Sequence, residues 1–403
     1  MKIELTPRCD ETVVNAKYKS WKLRCFYFFA LIIMLPGSIN VMSAQVSSKA
    51  QEEASLKAMA KLEPIDSHSH VVNGDPRFVA MLVRWHLHLV DIVVPDNKNQ
   101  ELEPFKQQRR DSFSFVNASH SHAVLCTSFD PFQFSNPNFT QSAIDGLNRD
   151  FARGAVAVKI WKNIGMQLED SSGKYVLPDN PRFEPIYMDI AAHNKTLIAH
   201  LADPDVAWGV HTPNDIADDA HYYALHSEWR MDKAPRAPAK KTILAARDHL
   251  LEMNPQLRVV GAHLGSMESD VDLIAERFEK YPNFAIDTAA RVPHLAVQPT
   301  EKVRRFILRY QDRILYGTDL QFGRQDDTAA AIKEWQAHYA LDWRYFATND
   351  RFKYHGREIQ GLGLPRSVLK KIFHDNAVDW IPGVIPMSNG KNAPKDKPLS
   401  NSM

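Results

Sequence analysis

The sequence predicts an α/β protein whose main domain is a (β/α)8 TIM-like barrel. Eight short apolar runs alternate with stretches of helical period between Leu62 and about Trp380, as expected when helices join parallel strands. No glycine-rich phosphate or dinucleotide loop follows the first run, which argues against an open doubly wound sheet. Several runs end in ionisable residues, and a barrel gathers the carboxyl ends of its strands around one site.

The strand-like runs are short and lie at residues 63–66, 89–94, 123–129, 155–161, 196–200, 257–262, 283–287 and 313–316. The clearest stretches of helical period between them lie at residues 142–153, 242–253, 271–280 and 303–310. No long Gly/Ser linker divides the region. We therefore expect these elements to form a single barrel domain over residues 62–382.

Composition and charge fit a globular protein and argue against nucleic-acid binding. The chain has 403 residues, of which 44% are hydrophobic and 24% are charged, enough for one large domain. Its 49 basic and 48 acidic residues give a formal net charge of +1. No basic stripe is interleaved with aromatic residues, so the electrostatic pattern of a nucleic-acid-binding protein is missing.

Residues 1–44 have the pattern of a signal peptide. Basic residues precede an apolar run from Cys25 to Leu35, and the small residues Ser43 and Ala44 follow it. The run is shorter than the roughly 20 residues that cross a bilayer. We therefore predict export, to the periplasm or as a secreted protein. An uncleaved membrane anchor and a buried helix of the fold are the alternatives.

Cleavage after Ala44 would leave residues 45–61 as an amino-terminal extension of the mature chain. Cys126 would then be its only cysteine, so the mature chain could form no internal disulfide. Cys126 lies in an apolar run, which predicts a small core residue. The polar, proline-rich segment at residues 383–403 is predicted to be a disordered tail.

Chemically active side chains fall at the carboxyl ends of the predicted strands. His68 and His70 are two residues apart, so on a strand both imidazoles leave the same face and can converge on one cation. The later runs end in or near Lys159, His200, His263, Asp287 and Asp319. This placement predicts a metal-dependent enzyme.

Two other histidine pairs have the same spacing as His68 and His70. His86 and His88 come before an apolar run, as do His120 and His122. The barrel would place both pairs at its opposite end, where residues serve stability rather than catalysis. We therefore expect them not to bind the metal.

Five motifs together resemble the amidohydrolase superfamily, specifically its amidohydrolase-2 branch. They are Asp66-Ser67-His68-Ser69-His70, the strand-end His200, Gly261-Ala262-His263-Leu264-Gly265, Tyr316-Gly317-Thr318-Asp319 and His374-Asp375-Asn376-Ala377. The resemblance spans roughly residues 62–380 and implies a distorted barrel that holds one divalent metal, commonly zinc. It implies that His68, His70, His200 and Asp319 are metal ligands and that His263 is catalytic.

The chemistry of these residues agrees with the resemblance. Three imidazoles and one carboxylate suit zinc, manganese or iron and leave a position open for water. Bound zinc can lower the pKa of that water to about 7, which would supply a metal-bound hydroxide as nucleophile. Asp319 would accept the water proton, and His263 would polarise the substrate carbonyl. The alternative is a set of core histidines satisfied by the backbone.

The roles of several neighbouring residues stay open. Lys159 could be a carboxylated bridge to a second metal, as in some branches of the superfamily, a substrate-binding ammonium or part of a structural ion pair. Trp161 would line the mouth of the site. Arg291 could bind a substrate carboxylate or form a salt bridge with Asp287, which could instead orient a ligand histidine. We expect Asp66 to support the histidines rather than bind metal.

These expectations together predict an exported, metal-dependent hydrolase. It would open an ester, lactone or amide bond in a small, carboxylated or carbohydrate-derived substrate. A metal-dependent, non-oxidative decarboxylase on the same site is the close alternative, and a metal-bearing binding protein without turnover is the alternative of a different class. The long connection at residues 201–240 is expected to cover the site. Membrane contact would come only from an uncleaved signal segment, and a homo-oligomer is allowed.

Overall fold

The computed structural model of the chain describes residues 38–96, 102–354 and 356–385, with side chains from Lys49 onward. The chain divides into two units, residues 1–50 and 51–403, and of the first unit only the helical residues 38–50 are described. The apolar run of the predicted signal peptide lies outside the described residues, as does most of the predicted tail. Among the described helices, none combines the length and apolarity needed to cross a membrane.

Parallel strands form a closed barrel around a single axis. The strands are β1 Ile65–Val71, β2 His88–Ile92, β3 Ala123–Ser128, β4 Ala157–Ile160, β5 Thr196–Ala199, β6 Arg258–Gly261, β7 Phe284–Asp287, β8 Ile314–Leu315 and β9 Leu320–Phe322. Each of β1 to β7 pairs with the next strand in sequence. The eighth barrel position is split, because β8 pairs with β7 while β9 pairs with β1. The backbone N–H of Ser67 in β1 donates to the carbonyl of Tyr316, the residue after β8, at 2.9 Å, and the predicted (β/α)8 barrel is confirmed.

Helices follow most of the strands along the chain. They are α1 Ser38–Ala60, α2 Pro76–Arg84, α3 Leu102–Ala118, α4 Phe139–Ala152, α5 Glu184–Ala192, α6 Ala217–Leu225, α7 Lys240–Met253, α8 Val271–Lys280, α9 Val292–Ala296, α10 Thr300–Arg309, α11 Thr328–Ala347, α12 Arg366–Lys370 and α13 Asn376–Trp380. An antiparallel hairpin, β10 Arg351–Tyr354 and β11 Arg357–Gln360, follows α11. Each predicted helix is present, and the bounds predicted for α8 coincide with those observed.

The helices form where apolar residues recur at the helical period. In α10, Val303, Phe306 and Ile307 are buried, a spacing of three and four residues that places them on one face. Helix α2 begins at Pro76 after Asp75, whose carboxylate accepts the backbone N–H of Arg77, so a capping side chain and a proline together fix the start.

The barrel interior has its own apolar core. Side chains from alternate strand positions, such as Val90, Val124 and Ile198, form one buried cluster, and Ala377 and Ile381 close it. Cys126 is a free, buried member of the cluster, so its predicted place in the core is confirmed. Val384 is also buried there, and the fold therefore extends into the segment that was predicted to be a tail.

Candidate metal centre

Strand β1 and the break in the eighth barrel position build the centre of the site. β1 continues to Val71, so His68 and His70 lie within a strand on alternate positions. Between β8 and β9, Asp319 has a φ of +67°, a left-handed conformation that few non-glycine residues adopt. Its backbone N–H donates to the His68 carbonyl at 2.8 Å. This turn brings the Asp319 carboxylate onto the two histidines.

Three of the four predicted ligands lie together. The Nε2 atom of His70 is 3.1 Å from Oδ1 of Asp319, and the Nε2 atom of His68 is 3.4 Å from the same oxygen. Potential ligand atoms of these three residues all lie within 4.8 Å of one another. His68, His70 and Asp319 can therefore hold one metal ion.

The far nitrogens of both histidines are already engaged. Nδ1 of His68 donates to Oδ2 of Asp287 at 2.8 Å, and Nδ1 of His70 donates to the Ile92 carbonyl at 2.7 Å. A carboxylate and a carbonyl can only accept hydrogen bonds, so the neutral rings carry their hydrogens on Nδ1 and have lone pairs on Nε2. Hydrogen bonds of this kind commonly orient metal-binding histidines.

The protonation states of this group favour a cation at its centre. Burial lowers the pKa of His68, and the nearby Lys159 lowers it further, although Asp287 and Asp319 act in the opposite direction. For Asp319, burial favours the neutral acid, but the adjacent histidines hold its pKa well below the usual range. Nε2 of His68 and Nε2 of His70 then face one oxygen of an ionised carboxylate, and Nε2 of His68 also lies 3.1 Å from Nζ of Lys159. A divalent cation is the group that such a donor set accommodates.

Asp287, at the end of β7, connects two strand ends. Besides Nδ1 of His68, its carboxylate accepts the backbone N–H of His263 at 2.8 Å and that of Ala289 at 3.1 Å. Asp287 therefore orients His68, one of the two roles considered for it from the sequence. The alternative salt bridge to Arg291 is not among the ion pairs of the described residues.

His263 follows β6 in a turn of unusual backbone conformation. The φ angles of His263, Leu264, Gly265 and Ser266 are all close to +60°, and such left-handed stretches are concentrated at functional sites. A Cβ atom on Gly261 would lie 2.7 Å from the Phe284 ring, so the strand must carry glycine where it enters this turn. The ring of His263 stands 4.7 Å from that of His68.

The His263 ring is neutral in this environment. Nδ1 donates to the Ala289 carbonyl at 2.8 Å. Burial holds the pKa of His263 well below its usual value, and His200 adds to the effect. The Nε2 atom therefore presents a lone pair. His263 can polarise a carbonyl, the role predicted for it, only after Nε2 has taken up a proton.

His200 is the predicted ligand that does not join the three-residue set. It follows β5, and its ring is 4.2 Å from that of His263. Its Nε2 atom donates to Oδ1 of Asp203 at 3.0 Å rather than facing Asp319. His200 is therefore beside the centre, while only its Nδ1 atom is free to bind a cation.

The three predicted substrate-binding residues lie in different surroundings. Lys159 is completely buried, and its Nζ atom is 3.1 Å from Nε2 of His68; burial lowers the pKa of its ammonium group. Trp161 packs edge to face with Trp229 at 5.1 Å. Arg291 is partly exposed, and its buried Nε atom has no hydrogen-bond partner among the described residues.

Asp66 supports the site from within the fold. Its carboxylate accepts the backbone N–H groups of His68 and Thr318, each at 3.1 Å, together with the hydroxyls of Thr318 at 2.6 Å and Tyr339 at 2.9 Å. It therefore fixes β1 against the turn that carries Asp319. Burial raises the pKa of Asp66 to about 6. The expectation that Asp66 supports the histidines is confirmed.

The partner of His200 was not predicted from the sequence. Asp203 bonds to His200 and to Lys162, and Asp203 was not among the predicted site residues. A signal was available, because both residues come just after the ends of neighbouring strands β4 and β5. Buried charged residues at that end of a barrel usually belong to the site.

The opposite end of the barrel holds the other histidine pairs. His88 and the residue before β3, His122, stack with ring centroids 4.8 Å apart, and Nδ1 of His122 donates to the Leu87 carbonyl at 2.7 Å. They lie at the amino ends of β2 and β3, as expected from their position in the sequence.

Comparison with known proteins identifies the family. The amidohydrolase family model matches residues 162–382 of this chain, which is more than half of its 403 residues. The matched region contains His200, His263, Arg291 and Asp319, and it begins after the His68 motif. A comparison with curated proteins finds no matching sequence.

Solved structures that are similar to this chain include two decarboxylases and a dihydroorotase. The 2,6-dihydroxybenzoate decarboxylase from Rhizobium has 15% identity and a TM-score of 0.46, with 79% of this chain and 98% of that chain covered. The dihydroxybenzoic acid decarboxylase from Polaromonas sp. JS666 with bound manganese has 14% identity and a TM-score of 0.46, with 79% of this chain and 97% of that chain covered. Dihydroorotase from Campylobacter jejuni has 12% identity and a TM-score of 0.44, with 79% of this chain and 82% of that chain covered. The family match shows that the chain belongs to the amidohydrolase family, in its amidohydrolase-2 branch, and is an enzyme.

Proposed function

We propose that this enzyme is a metal-dependent hydrolase that opens an ester, lactone or amide bond in a small, carboxylated or carbohydrate-derived substrate. The observation that carries the proposal is the convergence of two Nε2 lone pairs, from His68 and His70, on one oxygen of Asp319. We propose one divalent ion at this point, with zinc as the first choice and His200 as the fourth ligand. When bound, such an ion polarises a carbonyl and activates water near neutral pH.

The surrounding residues can supply the proton transfers that hydrolysis needs. Asp319 is held as a carboxylate by its histidine neighbours, so it can accept a proton from the attacking water and pass it to the leaving group. His263 has a lone pair on Nε2 and stands beside His68. Once Nε2 is protonated, it can donate a hydrogen bond to the developing oxyanion.

A carboxylated substrate is supported by the basic residues near the strand ends. Arg291 follows β7, and its Nε atom is buried without a partner among the described residues. Burial opposes its charge, but Asp219 and Glu268 raise the pKa of Arg291, so the group stays a cation. A guanidinium can bind a carboxylate through two parallel hydrogen bonds. We propose Trp161, packed against Trp229, as an apolar wall for the rest of the substrate.

Lys159 favours decarboxylation as the second candidate function. Loss of carbon dioxide leaves an electron pair on carbon, and a proton donor must convert it to a C–H bond. The Lys159 ammonium is buried beside His68, and burial lowers its pKa, which makes it a better acid. A carboxylated Lys159 that bridges two metals is the remaining alternative.

The test compares the wild-type enzyme with Asp319→Asn and with Asp312→Asn as matched control. Asp312 has a side chain that is 72% exposed and pairs with Lys371, far from the strand ends that form the site. We expect one equivalent of divalent metal in the wild type and the control, and little in Asp319→Asn. Lactone, ester, amide and aromatic-acid panels should show turnover that falls at least about a thousandfold in Asp319→Asn.

The product analysis separates the candidate functions. Incorporation of oxygen from labelled water supports hydrolysis, and carbon dioxide release without incorporation supports decarboxylation. Stoichiometric metal with no turnover on any panel would support a binding protein. If Asp319→Asn keeps both its metal and its activity, the proposed centre is wrong.

A further inference from the structure

A buried ion pair joins the ends of two neighbouring strands beside the metal centre. Lys162 follows β4 and Asp203 follows β5, and the two strands pair in register. Nζ of Lys162 donates to Oδ2 of Asp203 at 2.6 Å, and the two side chains are only 4% and 3% exposed. Because burying two charges costs several kcal/mol per ion, a pair at this position calls for an explanation beyond stability.

The second oxygen of Asp203 is bonded to His200. Oδ1 lies 3.0 Å from Nε2 of His200. An imidazole that binds a metal is neutral and carries one hydrogen. An ionised carboxylate can only accept, so this hydrogen is on Nε2 and the lone pair is on Nδ1.

Aromatic rings enclose the ammonium group of Lys162. Nζ is 4.4 Å from the ring of Trp229, 5.0 Å from that of Tyr222 and 5.6 Å from that of Trp161. It also donates to the Tyr222 hydroxyl at 3.1 Å. Cation–π attraction and these hydrogen bonds hold the group in one place. Burial opposes the charge, but Asp203 raises the pKa of Lys162, so Lys162 stays a donor only.

We propose that Lys162 and Asp203 are positioning residues that make Nδ1 of His200 the atom available to the metal. Asp203 takes the hydrogen on Nε2, and Lys162 fixes which oxygen of Asp203 faces His200. The inference rests on the proposed metal-dependent function. It also distinguishes His200 from His68 and His70, whose Nδ1 atoms bond to Asp287 and to the Ile92 carbonyl and whose Nε2 atoms face Asp319.

Asp203→Asn tests the arrangement directly. The ammonium of Lys162 can only donate hydrogen bonds, so it will bond to the amide oxygen. The amide NH2 group is then left facing Nε2 of His200. Nε2 must then accept, and the ring hydrogen moves to Nδ1. We expect ¹⁵N NMR of the metal-free protein to show this change of tautomer. We also expect the affinity for Zn²⁺, measured by chelator competition, to fall about 10- to 100-fold, the usual effect of losing such a partner.

The double variant Lys162→Met/Asp203→Asn separates positioning from a general structural role. Methionine cannot donate a hydrogen bond to the amide oxygen of residue 203. The amide can therefore turn, and its oxygen can accept the hydrogen on Nε2 of His200 again. We expect the double variant to recover the wild-type tautomer and most of the Zn²⁺ affinity that Asp203→Asn loses. A merely structural role predicts that the second substitution adds to the damage.

The matched control is Asp205→Asn, two residues further along the same connection. Asp205 pairs with Lys240, and none of the hydrogen bonds or ion pairs of the described residues joins its side chain to His200. We expect its Zn²⁺ affinity to stay within about twofold of the wild type, since only partners of the ligand change affinity strongly.

The outcomes separate this inference from the proposed function. If the wild type binds Zn²⁺ but Asp203→Asn keeps both tautomer and affinity, the inference is wrong while the metal centre stands. A hydrogen on Nδ1 of His200 in the metal-free wild type would overturn it as well, without any variant. If the wild type binds no divalent metal, both fail.

Discussion

Replacing Asp287 by asparagine should weaken metal binding without removing a predicted ligand. Oδ1 of Asp287 accepts two backbone N–H groups, those of His263 and Ala289, so the oxygen of the new amide must stay at that position. The amide NH2 group then occupies the place of Oδ2 and faces Nδ1 of His68. Two donors cannot bond, and the His68 hydrogen must move to Nε2, where it blocks the metal.

The size of the effect follows from these contacts. Loss of a carboxylate that orients a metal-binding histidine typically costs about 10- to 100-fold in affinity, which is about 1.4 to 2.8 kcal/mol. If His68 kept its hydrogen on Nδ1, an unsatisfied buried donor would cost about 1 to 3 kcal/mol of folding stability instead. The wrong tautomer of a catalytic histidine can lower kcat by about 10⁴-fold.

The assay measures Zn²⁺ affinity by chelator competition, the His68 tautomer by ¹⁵N NMR, and stability by urea unfolding. Asp342→Asn is the matched control, because Asp342 is equally buried and accepts the Tyr316 and Tyr354 hydroxyls outside the site. It should lose stability but keep its metal affinity. If Asp287→Asn changed neither the Zn²⁺ affinity nor the folding stability, the reasoning would be refuted, because the amide must lower one of them.

Two further predictions concern other parts of the chain. Burial, with His122 and His374 adding to it, lowers the pKa of His88 from 6.5 to about 4; between these values the unfolded chain binds a proton that the folded chain does not, so stability falls as pH drops through this range. His88→Gln should reduce this loss of unfolding free energy by about 1 kcal/mol, after allowance for the partial exposure of His88. Urea unfolding at pH 7 and at pH 4.5 measures the loss in both proteins. An equal loss in the wild type and the variant would contradict the prediction. Amino-terminal sequencing of exported protein should begin near Gln45, whereas a start at Met1 would rule out cleavage.

The barrel could be predicted because its signals are local. Each strand is a short apolar run, and each helix such as α8 repeats its buried residues at the helical period. The bounds were less accurate where pairing decides them. β1 extends to Val71 because Ser69, His70 and Val71 pair with β9, and β9 is a separate segment created by the break at Asp319. That pairing joins residues far apart in sequence, so the apolar runs alone do not predict it.

The orientation of the histidine rings could not be predicted, because their partners are distant in sequence. His68 and Asp287 are 219 positions apart, and the partner of His70 is a backbone carbonyl in β2, which has no sequence signal. The strand ends placed Asp287 near the site, but only the fold decides that its carboxylate faces Nδ1 of His68 rather than Arg291. Residue type and position therefore predicted the members of the site, and long-range contacts decided their chemistry.

Position along the strand, rather than spacing, separates the functional histidines from the others. Three pairs share a spacing of two residues, but only His68 and His70 meet a carboxylate, Asp319, from another strand position. His88 and His122 stack on each other instead, and burial drives His88 toward the neutral form. At the site, neutral histidines are paired with a carboxylate that keeps its charge. A carboxylate beside two imidazole nitrogens attracts a cation, and a stacked pair of histidines without such a carboxylate does not.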